Sequence, residues 1–232
     1  MSTTRIRNVC VLGERVSGTS FLQKLITENT KLISVLPFGH KHFFQDVKLI
    51  RKTDTKETLF VFISRDLIDW LNSFLKNTFH ADNPIRKCTD MSTFLRMEWK
   101  CIYDKTSGTK ETDKQFGKEM MCERNPANGK RFDNVISMRN AKMKHFLGLK
   151  NQVENFVHLK YEDVRDNPEE FLDGICRMFG ITRNRSYVPI NTVRGKGKIE
   201  YHRKMYPEIK TTDMEFILEN VDTKIESELE YV

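Results

Sequence analysis

One stretch restricts what this chain can fold into more than any other: Val9-Cys10-Val11-Leu12-Gly13-Glu14-Arg15-Val16-Ser17-Gly18-Thr19-Ser20-Phe21-Leu22. An apolar run stops at Gly13 and a polar loop follows. From Gly18 onward, Phe21, Leu22, Leu25 and Ile26 recur at the spacing of one helical face. Strand, glycine-bounded loop and helix in that order make a cradle for an anion, because the loop N–H groups and the positive end of the helix dipole converge. Gly13 and Gly18 have the spacing of a Walker A loop, but Thr19 stands where that loop carries its lysine. Without the lysine such a loop grips a β/γ-phosphate pair poorly, so the expected ligand is a nucleotide with a shorter 5′ chain.

Further along, polar groups gather at the ends of apolar runs. The first strand is expected over Ile6 to Leu12 and a second over Leu32 to Phe38, which runs into Gly39-His40-Lys41-His42. In open α/β sheets ligands sit at the carboxyl ends of strands, so this cluster is either part of a site or a solvated turn. Leu59 to Ile63 is continuously apolar, as in a strand buried on both faces of a parallel sheet. Arg65 follows that strand. Ser73 lies eight residues on, just over two turns at 3.6 residues per turn, in a helix with an apolar stripe of Leu67, Ile68, Leu71, Phe74 and Leu75. Trp70 reads as core or groove wall. Helices are expected over Met91 to Tyr103 and Phe132 to Leu149, and a fourth strand over Val153 to Leu159.

Asp104 to Arg131 is rich in Lys, Glu, Thr and Gly; it reads as a mobile insertion or as a plain solvated loop. Asn167-Pro168-Glu169-Glu170 has the signature of a helix start, with Asn167 as cap, and Gly180 marks the end of that helix. Thr192 to Lys198 sets three cations among two glycines, either to hold a second phosphate or as a flexible surface loop. Thr212-Asp213-Met214-Glu215 reads as a capping box opening one packing helix over residues 212 to 230.

Composition excludes several classes. At 232 residues the chain can bury one sizeable core, and a single domain over residues 1 to 232 is expected. No apolar run approaches the roughly 20 residues that span a bilayer, and no signal-type apolar region follows Met1 to Asn8; the expectation is a soluble, cytoplasmic chain. The five cysteines are scattered and never in C-x-x-C spacing, which argues against a disulfide framework or a zinc site. The net charge of +7 suits an anionic ligand. Lys and Arg alternate with 32 acids rather than clustering with aromatics, so a nucleic-acid partner is not expected. Leu59 to Ile63 ends in Ser-Arg, not in an acid, so nothing calls for magnesium or another metal.

In this order the segments resemble the sulfotransferases that use 3′-phosphoadenosine 5′-phosphosulfate (PAPS). Gly-Glu-Arg-x-Ser-Gly-Thr-Ser-Phe-Leu looks like their 5′-phosphosulfate loop. Arg65 with Ser73, in Phe-Ile-Ser-Arg-Asp-Leu-Ile-Asp-Trp-Leu-Asn-Ser, looks like their 3′-phosphate site. Leu159-Lys160-Tyr161-Glu162-Asp163 leading through Asn167-Pro168, and the basic loop from Arg194 to Lys198, extend the resemblance from about Arg5 to Lys198. It implies a three-layer α/β/α domain with a central parallel sheet, related to the P-loop nucleotide kinases. It also implies in-line transfer of a sulfuryl group from PAPS to a hydroxyl or amine, leaving adenosine 3′,5′-bisphosphate (PAP); with no spanning run in the sequence, a membrane partner is not expected.

The implied roles follow residue by residue. Gly13, Arg15, Ser17, Gly18, Thr19 and Ser20 hold the 5′ end, Arg65 and Ser73 the 3′-phosphate, and Arg194, Gly195 and Lys196 make further cofactor contacts. His42, 23 residues before Arg65, is the catalytic base, with His40 as rival; Lys41 and Arg15 stabilise charge on the sulfuryl group or the leaving phosphate. Many members carry lysine or arginine directly before Ser-Gly-Thr, whereas this chain has Val16 there and its cation, Arg15, one position earlier. A catalytically weak or inactive PAP-binding protein of the same fold therefore stays open as an alternative, as does a P-loop small-molecule kinase. The class of acceptor and the oligomeric state have no signature in the sequence.

Overall fold

The computed structural model describes residues 5–51, 55–192 and 199–231. The chain divides into two compact units, one of Met1–Asp66 with His145–Met205 and the other of Leu67–Lys144 with Tyr206–Val232.

The first unit is α/β. It is built on a four-stranded, all-parallel sheet in the order β2-β1-β3-β4, with β1 at Asn8–Leu12, β2 at Ile33–Ser34, β3 at Thr58–Ser64 and β4 at Asn155–Lys160. Helix α1 (Thr19–Asn29) follows β1, α2 (Val47–Ile50) precedes β3, and α7 (Tyr161–Asp166) and α8 (Pro168–Phe179) follow β4. Every residue of β3 is buried, as its unbroken apolar run requires of a strand covered on both faces. Val9, Val11, Leu59, Val61 and Ile63 pack against Leu22, Leu25 and Ile26 of α1 and Leu172 and Ile175 of α8. On the opposite face Phe60 stacks on Phe38, with ring centroids 5.5 Å apart, and Phe62 lies against Phe146. Burial in β1 pushes the Cys10 thiol up to about 12, and the five cysteines are thiols rather than disulfide partners.

Two elements of this unit differ from expectation. The second strand has two residues rather than seven: it pairs with β1 only at Ile33 and Ser34, and past Pro37, which has no N–H to offer, the chain turns and brings residues 38–42 to the end of β1. Helix α8 begins at Pro168 and ends at a left-handed Gly180 as expected, but the Asn167 side chain makes no capping bond.

The second unit is helical. It holds α3 (Leu67–Leu75), α4 (Asn83–Lys87), α5 (Met91–Arg96), α6 (Val135–Gly148) as far as Lys144, α9 (Thr211–Asn220) and α10 (Thr223–Glu228). Helix α5 stops at Arg96, short of the expected Tyr103; the chain beyond it pairs instead, Trp99 with Phe132 and Cys101 with Ala81. Asp104 to Arg131 contains 3-10 turns at Lys105–Ser107, capped by Asp104, and at Met121–Glu123. The expected single C-terminal helix is two helices. The break falls at Val221-Asp222, where the Asp222 carboxylate accepts from the N–H groups of Lys224 and Ile225 and starts α10. No capping box forms at Thr212: the helix already starts at Thr211 with Lys210 at its cap position, so Thr212 lies inside the first turn, and the Asp213 carboxylate accepts from Ser92 and Arg96.

Two ion pairs are sealed inside this unit. Lys142 is 0% exposed and donates to both oxygens of Glu123, at 2.7 and 2.9 Å. One turn earlier on α6, Arg139 pairs with Glu226 and lies over the Trp70 ring, which is core as its sequence context suggests. Among the described residues no helix is long and apolar enough to cross a membrane.

Candidate functional site

The parallel register brings several loops to the carboxyl edge of the sheet. Leu12 pairs with Phe62, and Ser64 with Lys160, so Gly13, Arg65 and Tyr161 each follow the end of a neighbouring strand. Gly13 is forced by contact: at φ +155° a Cβ there would lie 2.4 Å from the carbonyl oxygen of Ile63. Gly18 caps α1 in the left-handed region, at φ +87°, and a Cβ on it would strike the Tyr161 ring at 2.3 Å. Between the two glycines, Val16 has φ +58°. For a β-branched residue this conformation costs of order 1–3 kcal/mol and has to be held by its surroundings. One holder is Arg65, whose Nη1 donates to the Val16 carbonyl at 3.0 Å.

Side chains along the loop alternate. Glu14, Arg15, Ser17 and Thr19 are buried, whereas Val16, Gly18 and Ser20 are half-exposed. Arg15, at 1% exposure, turns inward: Glu14 Oε1 accepts from its backbone N–H and from its Nη1, both at 2.7 Å, and its guanidinium lies 5.5 Å from the centre of the Phe43 ring. The cation one position before Val16 therefore lies in the interior, and the half-exposed position carries no charge.

The segment after β2 supplies what the loop lacks. Lys41 Nζ donates to Ser20 Oγ at 2.9 Å, placing an ammonium in the first turn of α1 although residue 19 is threonine. The same segment is pinned to the loop by its backbone, since the Gly13 N–H donates to the Lys41 carbonyl at 3.1 Å. His42 Nδ1 lies 2.6 Å from the Gly13 carbonyl. A carbonyl only accepts, so Nδ1 carries the proton and Nε2 the lone pair. Desolvation holds this imidazole well below its ordinary pKa; the Glu14 charge and the Gly13 bond oppose the fall, and the neighbouring charges of Lys41 and Arg15 add to it. The ring is thus neutral at physiological pH. His40 is exposed and rests edge-on against His42, with ring centroids 5.2 Å apart.

Arg65, 9% exposed, sits over the Tyr161 ring with its Cζ 5.0 Å from the ring centre. Ser73 lies in α3 of the second unit, 8% exposed, with its carbonyl accepting from the Asn77 side chain. Arg194, Gly195 and Lys196 lie outside the described residues. The flanks of that stretch are fixed by a Thr192–Glu200 bridge and by the Tyr201 N–H donating to the Asn191 carbonyl at 2.8 Å.

Of the residues selected from sequence, Gly13, Ser17, Gly18, Thr19, Ser20, Lys41, His42 and Arg65 thus meet at one edge of the first unit, with Arg15 packed beneath. Two further residues belong with them. Glu14 is a buried carboxylate whose charge acts on His42, and Tyr161 underlies both Gly18 and Arg65. Position directly after Gly13 and directly after a strand end were the available signals for these two. Among the described residues no group of His, Cys, Asp and Glu is arranged to hold a metal ion. No family model matches the chain, and no curated protein matches it.

Proposed function

We propose that the chain is a PAPS-dependent sulfotransferase of P-loop type, transferring a sulfuryl group to a hydroxyl or amine of an acceptor. The observation that carries this reading is the meeting of Lys41 with Ser20 beside His42 and the glycine loop. A cation, an imidazole with its lone pair on Nε2 and a row of N–H groups at a helix start are the parts that in-line transfer of an anionic group needs. In the proposed step the acceptor oxygen or nitrogen attacks sulfur and the bond from sulfur to the bridging phosphate oxygen breaks. The acceptor proton passes to His42 Nε2. Lys41 and the first-turn N–H groups of α1 take up the charge that grows on the departing 5′-phosphate of PAP. Arg65 is assigned the 3′-phosphate. A kinase reading would ask for an acidic magnesium ligand at the end of β3, where Ser64 and Arg65 stand.

A second reading is favoured by one observation. Arg15 is sealed against Glu14, and Val16 brings no charge to the half-exposed position, so the loop has one cation fewer than the family resemblance implies. A protein that binds PAP and turns PAPS over slowly fits that arrangement. Incubation with sulfur-labelled PAPS and a panel of sugar, phenol, amine and tyrosine-peptide acceptors separates the two readings. Transfer that is lost in His42→Asn while PAP binding persists supports the enzyme, and PAP binding without transfer to any acceptor supports the binder.

A further inference from the structure

Tyr161 has no part in the chemistry above, yet three features of the site meet on its side chain. Its ring lies so close to the backbone of Gly18 that a Cβ there would come within 2.3 Å of Cδ2. The Arg65 guanidinium lies over the same ring, 5.0 Å from its centre, while one of its N–H groups holds the Val16 carbonyl at 3.0 Å. The Tyr161 hydroxyl donates to the Tyr201 hydroxyl at 3.0 Å, just beyond the Thr192–Glu200 bridge. A second guanidinium, that of Arg165, lies 5.7 Å from the ring centre but is engaged in two 2.7 Å bonds with Asp166. The sheet register accounts for the position of the ring: Lys160 pairs with Ser64, so Tyr161 and Arg65 leave adjacent strands at the same level.

We propose that Tyr161 is a positioning residue whose ring fixes Arg65 and the start of α1 in one geometry, so that the grip on a 3′-phosphate depends on that ring. The inference rests on the reading of a nucleotide with separate 5′ and 3′ anions. An arginine resting on an aromatic ring keeps its N–H donors for hydrogen bonding, while the contact removes freedom that ligand binding would otherwise have to restrict. Because the same ring abuts Gly18, the distance between the 5′ cradle and Arg65 is set by one rigid group.

Calorimetric titration of wild type, Tyr161→Leu and Tyr161→Phe with PAP and with adenosine 5′-monophosphate tests this, since the two ligands differ only in the 3′-phosphate. Tyr161→Leu is expected to lower the ratio of PAP affinity to monophosphate affinity roughly 2- to 30-fold, the range a cation–π contact spans. Tyr161→Phe, which keeps the ring, should retain most of the ratio. A purely structural role would weaken both ligands together and leave the ratio where it was. An unchanged ratio in Tyr161→Leu, or an equal fall in Tyr161→Phe, overturns the proposal. If wild type does not prefer PAP over the monophosphate, the cofactor reading fails, and the positioning role is decided by NMR of the nucleotide-free protein. The Arg65 Nε–H and Gly18 amide resonances should then shift in Tyr161→Leu and stay in place in Tyr161→Phe; resonances unmoved in Tyr161→Leu overturn it.

Discussion

Replacing Gly18 with alanine separates two costs that the fold imposes at one position. The first is conformational: φ is +87°, and a left-handed L-residue costs about 1–2 kcal/mol. The second is steric: the new methyl would sit 2.3 Å from Tyr161 Cδ2 and 2.7 Å from Cε2, inside any real carbon–carbon contact. The ring cannot retreat cheaply, because Tyr161 is buried and its hydroxyl is tied to Tyr201. Overpacking of this kind costs about 1–3 kcal/mol, so the sum is about 2–5 kcal/mol. Gly180 supplies the control. It lies in the same unit, its φ is +62°, and a Cβ there meets nothing within 4 Å, so Gly180→Ala should show the conformational cost alone. Urea denaturation of both variants, with Tyr161→Leu and the Gly18→Ala/Tyr161→Leu double variant, gives the steric part as a difference. The double variant should recover most of it. If Gly18→Ala costs no more than Gly180→Ala, the loop does not rest on the ring, and the packing argued for this site is wrong.

Three other substitutions test separate parts of the account. His42 has a folded-state pKa below its ordinary 6.5, so the associated stability is complete above about pH 6.5 and declines as pH falls below it toward the folded value; the Tm difference between wild type and His42→Asn should shrink from pH 7.5 to pH 5, and a constant difference would contradict the burial of a neutral imidazole. Lys41→Ala removes a charge-assisted contact at the α1 N-terminus and should weaken PAP binding roughly ten- to hundredfold with little change in Tm; unaltered affinity would remove Lys41 from the site. In the second unit, Lys142→Met strands the buried Glu123 carboxylate and should cost about 3–5 kcal/mol in denaturant titration, whereas Lys142→Met with Glu123→Leu should cost markedly less; equal losses would mean that the pair is not sealed from water.

The parts of the fold legible in the sequence are those written in local chemistry. Gly13 and Gly18 are each required by a contact no other residue could make, and β3 is apolar throughout because both its faces are covered. The elements that differ are those decided by partners distant in sequence. Leu32 to Phe38 has the composition of a strand, but at the sheet edge only Ile33 and Ser34 find a neighbour. The box expected at Thr212 does not form because α9 starts one residue earlier, at Thr211, where Asp213 in its first turn is held by Ser92 and Arg96, while Asp222 interrupts an apolar periodicity that otherwise runs straight through.

The site divides in the same way. Lys41 and His42 stand out as basic side chains after a strand, but their contacts with Ser20 and Gly13 span 21 and 29 residues, which spacing alone does not encode. The sequence shows that the cation stands at Arg15 rather than at Val16, but not which of the two faces a ligand. The loop turns one into the interior and leaves the other half-exposed, so a shift of one position changes what a ligand meets. Glu14 resembles any loop acid until its burial is known, and Tyr161 resembles core until the register of β3 and β4 sets it under Arg65.

The central claim is that the loop, Lys41 and Arg65 are built for a nucleotide with a short 5′ anion and a separate 3′-phosphate. Calorimetric titration of the wild-type chain with PAP and, separately, with ATP and magnesium tests it most directly. Tighter binding of PAP, abolished by Arg65→Ala with the fold intact, is the predicted result; equal or tighter binding of ATP would contradict the claim and return the loop to the kinases.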